Sequence, residues 1–305
     1  MENAGTLPNF LVIGAAKCGT TSLCALLGRH PEVFLHPRKE LDFFSYDGVY
    51  AKGIEWYASR FRDGAGRKAV GEGSPNYAKR RKNPRAAERI ARHLPDARLL
   101  YIVRHPLRRM ESAWLHARRA GHRSAGSFGE TVRTFPEYVD TSDYEAQLEA
   151  FAAYRDRGRL RVLFFEEFRS APGDVLREAF RFLGVDDSVE VPADDSPTNP
   201  SLGRRVDAPF LKRLRKTRAF RSVERVAPAL TAALVRPLQR ELTERPTWDE
   251  ETLRFVRDAL ETPTRRFLEA HGRPADLWDL SGRPDDPGGG KKGAGLPPTL
   301  PPGAR

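Results

Sequence analysis

Cysteine is nearly absent from this chain of 305 residues: there are two, Cys18 and Cys24. They do not form a C-x-x-C pair and no histidine pattern accompanies them. That excludes a disulfide framework and a structural zinc site, and it fits a reducing compartment. Long apolar runs are missing as well. No stretch approaches the roughly 18 residues that span a bilayer. The opening MENAGTLPNFLVIGAAKCGTT lacks the basic n-region and long apolar h-region of a signal peptide. The expectation is a soluble, cytoplasmic protein with no transmembrane segment. No internal repeat is present, and neither an aromatic single-strand platform nor a zinc-finger spacing supports nucleic-acid reading. Negative charge is the scarcer sign, with 41 Asp and Glu against 52 Lys and Arg, a net +11. An anionic partner follows from that surplus: a nucleotide, a sulfated or phosphorylated ligand, or a membrane surface. Nothing in the sequence speaks to oligomeric state.

What is present is an alternation of apolar runs and helical patterns. NFLVIGAA, ARLLYIVRHP and RLRVLFFEEF read as buried strands, and KAVGEGSPNY as a weaker one. GTTSLCALLGRHP, PRAAERIARHLP, LRRMESAWLHARRAG, SDYEAQLEAFAAYRDRG and APGDVLREAFRFLGV read as helices, the last with Pro in its first turn and Gly184 near its C-cap. Continuously apolar strands alternating with helices imply an α/β fold: one P-loop-like domain whose central parallel sheet is flanked by helices. Residues 9–203 make the core. A basic helical extension, 204–282, follows, and the Gly/Pro-rich 283–305 reads as a disordered tail. In such sheets ligands lie at the carboxyl ends of the strands. Three strands end in residues able to do chemistry: Lys17, Glu72 and Arg104.

The first of these ends, GAAKCGTT, keeps the glycine spacing of a phosphate loop at Gly14 and Gly19. Amides of such a turn, at a helix N-terminus, cradle anionic oxygens. A nucleoside-triphosphate P-loop would carry lysine at position 20 and an aspartate at the end of a neighbouring strand to hold magnesium. Here position 20 is threonine, the lysine sits inside the turn at Lys17, and the RLLYIV strand ends in Arg104. The site therefore reads as a metal-free phosphate cradle in which cationic side chains carry the charge. Arg104 offers a fork of donors suited to a phosphate.

Four stretches in order resemble the PAPS-dependent sulfotransferases, in particular the branch with the heparan sulfate N- and 3-O-sulfotransferase domains and bacterial relatives. They are FLVIGAAKCGTTSLCALLGRHPEV, KELDFFS, GEGSPNY and LLYIVRHPLRRMESAW. The resemblance implies a co-substrate, 3′-phosphoadenosine 5′-phosphosulfate (PAPS), and no metal. It places Ala16, Lys17, Cys18, Gly19, Thr20, Thr21 and Ser22 around the 5′-phosphosulfate, with Lys17 on the bridging oxygen. Arg104 and Ser112 fall on the 3′-phosphate, and Gly203, Arg204 and Arg205 in a loop closing over it. Glu72 takes the role of general base, with Glu40 and Asp42 as second candidates near the acceptor and Lys39 facing an anionic group. Phe43 and Phe44 read as core, His116 as structural. The role of His105 is open, and Cys18 has no functional account.

Sulfuryl transfer suits these residues on chemical grounds. Charge builds on the leaving phosphate oxygen, where a lysine in the turn neutralises it. The acceptor hydroxyl or amine loses a proton, which a carboxylate at the neighbouring strand end accepts. The acceptor class expected is a carbohydrate, a glycolipid or a small metabolite. The basic stretch 204–225, with nine Lys and Arg, is a solvated face, a receptor for an acidic acceptor, or a peripheral membrane contact. Two other readings stand beside this one: a P-loop phosphotransferase or ATPase, and a non-enzymatic anion-binding protein resting on net charge alone.

Overall fold

A computed structural model describes residues 5–38, 40–120, 126–192, 205–207, 217–227, 239–241 and 244–282, with 214, 231 and 235. Lys39, Gly203, Arg204 and the tail 283–305 lie outside them.

The sheet has five strands: β1 (Phe10–Gly14), β2 (Val33–Leu35), β3 (Ala69–Gly73), β4 (Arg98–Val103) and β5 (Leu160–Phe164). Their order is β2-β3-β1-β4-β5, and every pairing is parallel. All five residues of β1 and all five of β3 are buried, as strands covered on both faces require. Helices α1 (Thr20–Leu27), α4 (Ala86–His93) and α11 (Pro172–Leu183) supply that cover, while α5 (Pro106–Ala120) follows β4 and packs beside the sheet. The expected parallel α/β architecture is the one observed.

Close approach shapes β3. A Cβ on Gly73 would lie 2.5 Å from the sulfur of Cys24 on α1, so the strand and helix touch here only because the position has no side chain. Phe43 and Phe44 are fully buried, as expected, Phe43 stacked on Tyr57 and Phe44 edge-on to Tyr77.

Three local differences from the sequence reading have physical causes. Val33–Leu35 is an edge strand of three residues, too short to show a period. The pattern SDYEAQLEAFAAYRDRG splits into α8 (Tyr144–Glu149) and α9 (Ala152–Asp156), because Phe151 turns into the core with φ −111° and ψ 17°. Within the basic extension, β6 (Arg205–Asp207) pairs antiparallel with β7 (Gln239–Glu241). Three residues on each strand are too few to show a period in the sequence, and the register sets Arg205 opposite Glu241. Helices in the extension cover Arg218–Val226 and Glu250–Ala270, while residues 244–249 and 271–282 are irregular.

A second core lies beside the sheet. Leu107, Met110 and Trp114 of α5 pack with Phe128, Val132, Trp248, Val256 and Leu260. Arg109, 2% exposed, is buried between the two cores. Its guanidinium donates to Ser142 Oγ (2.5 Å) and to the Tyr138 carbonyl (2.6 Å), which compensates the cost of burying its charge. Among the described residues no helix is long and apolar enough to cross a membrane.

Candidate active site

The turn between β1 and α1 is fixed at both ends. The Ala15 amide donates to the Ile102 carbonyl on β4 (2.7 Å), and the Cys18 amide to Ala15 O (3.2 Å). Lys17 has φ 73° and Gly19 φ 92°, so the chain reverses twice through the left-handed region within three residues. A Cβ at Gly19 would strike the Phe165 ring at 2.6 Å. The first intrahelical bond runs from Leu23 N–H to Gly19 O, so the amides of residues 19–22 precede it, at the positive end of the helix dipole. The first turn of α1 carries no acidic residue. Ala16, Lys17 and Ser22 are half-buried, Thr20 is buried and Thr21 is exposed.

The turn after β3 wraps toward this loop. Ser74 N–H donates to Val12 O (3.1 Å) and Ala78 N–H to Ile13 O (3.2 Å), both on β1. The segment holding Glu40 and Asp42 is tied to the same turn. Glu40 N–H donates to Gly73 O (3.1 Å) and Asp42 N–H to Ser74 Oγ (3.0 Å). Both acids have left-handed backbones, φ 61° and 53°, and each is held there by that amide bond. Glu40 is exposed. Asp42 is half-buried, and Asn76 Nδ2 donates to both of its carboxylate oxygens at 3.1 Å. Burial raises the Asp42 carboxyl above its usual range, against the pull of Asn76.

Glu72 lies beneath them with no exposed surface. Three hydroxyls donate to its carboxylate: Ser74 to Oε2 (2.7 Å), and Tyr57 (3.1 Å) and Tyr77 to Oε1. Burial pushes this carboxyl up to about 7, with the hydroxyls acting in the opposite direction.

Lys79 directly follows the Ala78 contact with β1 and is half-buried. Burial, then the charges of Lys82 and Arg109, pull its ammonium down to about 8, while Glu40 and Asp42 act the other way. Neither Lys79 nor Asn76 was singled out in the sequence. Their signal was the run of polar residues in GEGSPNYAK, immediately past a strand end.

Across the loop, Arg104 ends β4. Tyr144 O–H donates to its carbonyl (2.6 Å), and its guanidinium lies 4.8 Å from the centre of the Phe165 ring. Burial lowers the guanidinium below its usual range. Ser112 is half-buried on α5, two turns beyond Arg104, and His116 one turn further is exposed. The structure thus gathers residues 16–22, Glu40, Asp42, Glu72 and Arg104 at the carboxyl ends of β1, β3 and β4. Arg205 falls at the start of β6, and its companions Gly203 and Arg204 lie outside the described residues.

His105 has a clear structural part. Its Nδ1 accepts from Leu107 N–H (3.2 Å), so Nε2 carries the proton and donates to Asp279 O (3.0 Å). Burial lowers the ring to about 4, which keeps it neutral. His105 therefore caps α5 and clamps the C-terminal segment against the Arg104 turn.

Comparison with known proteins bears on the family and the fold. A sulfotransferase-domain family model matches residues 7–196. A bifunctional heparan sulfate N-deacetylase/N-sulfotransferase 4 of Mus musculus is 31% identical over 199 residues, covering 59% of this chain and 22% of that protein. A heparan sulfate glucosamine 3-O-sulfotransferase 5 of the same organism is 28% identical over 190 residues, covering 59% and 54%. The chain therefore spans between about a fifth and about half the length of these relatives. The crystal structure of a sulfotransferase from Alicyclobacillus acidocaldarius superposes with a TM-score of 0.54 at 28% identity, covering 78% of this chain and 98% of that one. Sheet order and family match agree, and the chain belongs to the sulfotransferase family.

Proposed function

We propose that the chain transfers a sulfuryl group from PAPS to a hydroxyl or amine of a carbohydrate, a glycolipid or a small metabolite. The observation that carries this reading is the β1–α1 turn, where Lys17 is held in a left-handed conformation at a helix N-terminus without acidic residues. PAPS supplies an activated sulfuryl group on its 5′-phosphate. The amides and hydroxyls of residues 16–22 bind that phosphate, and Lys17 neutralises the bridging oxygen as the sulfur–oxygen bond breaks. Arg104 and Ser112 hold the 3′-phosphate. These cations and amides carry the charge without a metal.

Glu40 is the base in this reading. Glu72, the base implied by the family resemblance, has no surface for an acceptor to touch and already accepts three hydroxyl donors. Both oxygens of Asp42 are engaged by Asn76. Glu40 stands exposed at the rim of the same turn and takes the acceptor's proton as the new bond to sulfur forms. Asp42 and Asn76 hold the segment in place, and Lys79 presents a cation to the acceptor or the sulfuryl oxygens. Neither cysteine forms a disulfide, which supports a reducing, cytoplasmic setting.

The test uses turnover with labelled PAPS across an acceptor panel. Glu40→Gln should lower kcat about 10²–10⁴-fold, with Glu72→Gln staying within about tenfold of wild type. An inactive Glu72→Gln beside an active Glu40→Gln reverses the assignment. Adenosine 3′,5′-bisphosphate at about 100 times its Kd should stabilise the fold by about 2.7 kcal/mol. A rise in melting temperature with ATP-Mg²⁺ alone refutes the donor and favours the phosphotransferase reading.

A further inference from the structure

The phosphate turn and Arg104 are joined by two bridges. In one, Cys18 Sγ lies 3.5 Å from Tyr144 Oη, whose O–H donates to the Arg104 carbonyl at 2.6 Å. Tyr144 has one proton and spends it on that carbonyl; the thiol's proton has two acceptors, Tyr144 Oη at 3.5 Å and Ala16 O at 3.9 Å, and the shorter contact takes it. The chain of bonds runs in one direction, from the turn to the end of β4. In the other bridge the Phe165 ring fills the space between Gly19 and the Arg104 guanidinium: a Cβ on Gly19 would lie 2.6 Å from it, and the guanidinium 4.8 Å from its centre. Cys18 is 0% and Tyr144 2% exposed, so neither group contacts a nucleotide directly from solvent. Tyr144 is braced by Tyr101, Phe267 and Trp278, which makes its hydroxyl a fixed point. Burial holds the Cys18 thiol up at about 11 and Tyr144 well above its ordinary value, so both protons persist at neutral pH.

We propose that Tyr144 and Phe165 are positioning residues that fix the spacing between the 5′-phosphate turn and Arg104, and that this spacing sets the preference for nucleotides bearing a 3′-phosphate. The inference rests on the donor assignment made above. A ribose holds its 3′- and 5′-phosphates at a set separation. A protein that presents its two anion sites at that separation beforehand avoids an ordering cost on binding. A nucleotide with only a 5′-phosphate uses the turn alone and gains nothing from the bridges. Cys18 thereby acquires a role: it ties the turn to the other half of the site.

The experiment is calorimetric titration of the full chain with adenosine 3′,5′-bisphosphate and with 5′-AMP. Wild type should prefer the bisphosphate. Tyr144→Phe, which keeps the ring, should lower the bisphosphate-to-AMP affinity ratio about two- to tenfold, the range of one net hydrogen bond. Cys18→Ala cuts the same chain from its other end and should shift the ratio in the same direction. The double variant should be no worse than Tyr144→Phe alone, since both act through one path. Phe165→Leu should lower the ratio independently. Melting curves confirm that each variant is folded at the titration temperature, and Cys18→Ala stands in for Tyr144→Phe if the latter is not. A wild-type ratio in a folded Tyr144→Phe or Phe165→Leu removes that residue from the proposal while the donor reading stands. Absence of any bisphosphate preference in wild type defeats the donor reading and this inference with it.

Discussion

Replacing Glu72 by glutamine should change how stability depends on pH more than it changes turnover. The carboxyl is fully buried and pushed from 4.5 to about 7. At about 1.4 kcal/mol for each tenfold change in proton affinity, that rise corresponds to about 3 kcal/mol. The folded state holds the proton more tightly than the unfolded state. The contribution is therefore fully present below pH 4.5, is lost as pH climbs through the folded value near 7, and is gone above it. Glutamine has the same shape and does not titrate. Its Oε1 can accept from Tyr57 and Tyr77 as the carboxylate does, and its amide can face Ser74. Rearranging that one bond adds an offset independent of pH. Other acids titrate in both proteins and cancel. Urea unfolding of wild type and Glu72→Gln at pH 4.5, 6, 7 and 8 reads the difference directly. The variant should gain about 3 kcal/mol relative to wild type between the two ends of that range. A difference that stays flat across it would show that burial does not hold the proton on Glu72.

Three further expectations are more local. Lys17→Ala should lower kcat about 10²–10³-fold, the usual effect of removing one oxyanion partner, with an unchanged melting temperature; near-normal turnover would discard its role. If Lys79 acts as a cation, turnover falls as pH rises through about 8, where its ammonium loses the proton. In a pH–rate profile, Lys79→Arg should move that limb upward, and a limb that does not move would assign it to another group. Gly73→Ala places a methyl 2.5 Å from Cys24 Sγ and should destabilise the fold by about 1–3 kcal/mol. Adding Cys24→Ala should recover most of that loss in a thermal melt, and additive losses would mean the contact is not the cause.

The sequence showed the sheet better than it showed the chemistry of the sheet's rim. β1 and most of β4 are apolar runs, as a strand covered on both faces requires, while β5, at the sheet edge, carries Arg161 within its run. The sharp turn between β1 and α1 was legible because glycine spacing is a property of adjacent residues. The burial of Glu72 is a feature the sequence cannot display. A strand-end acid looks the same whether it faces solvent or is capped by Tyr57, Tyr77 and Ser74, and one of these hydroxyls, Tyr57, comes from a different segment of the chain. Tyr144 and Phe165 were invisible for the same reason. Tyr144 lies 126 residues from Cys18 and 40 from Arg104, and no local period links such positions. Phe165 sat within an apolar run that read as strand throughout, although the chain turns into α10 (Phe165–Ser170) at that residue.

The clamp between His105 and Asp279 bears on where this protein can be cut. The family match ends at residue 196, and a fragment drawn to that limit looks complete. Yet the stretch from 264 to 282 buttresses the Arg104 turn from behind. Trp278 packs against Tyr144 and Phe164, and Arg273 pairs with Glu167 at 2.8 Å and lies over Phe164. Likeness marks the portion that relatives share, whereas packing marks the portion that must travel together. An excised domain or a fusion partner joined near residue 200 would therefore keep the phosphate turn and lose the wall that holds its counterpart.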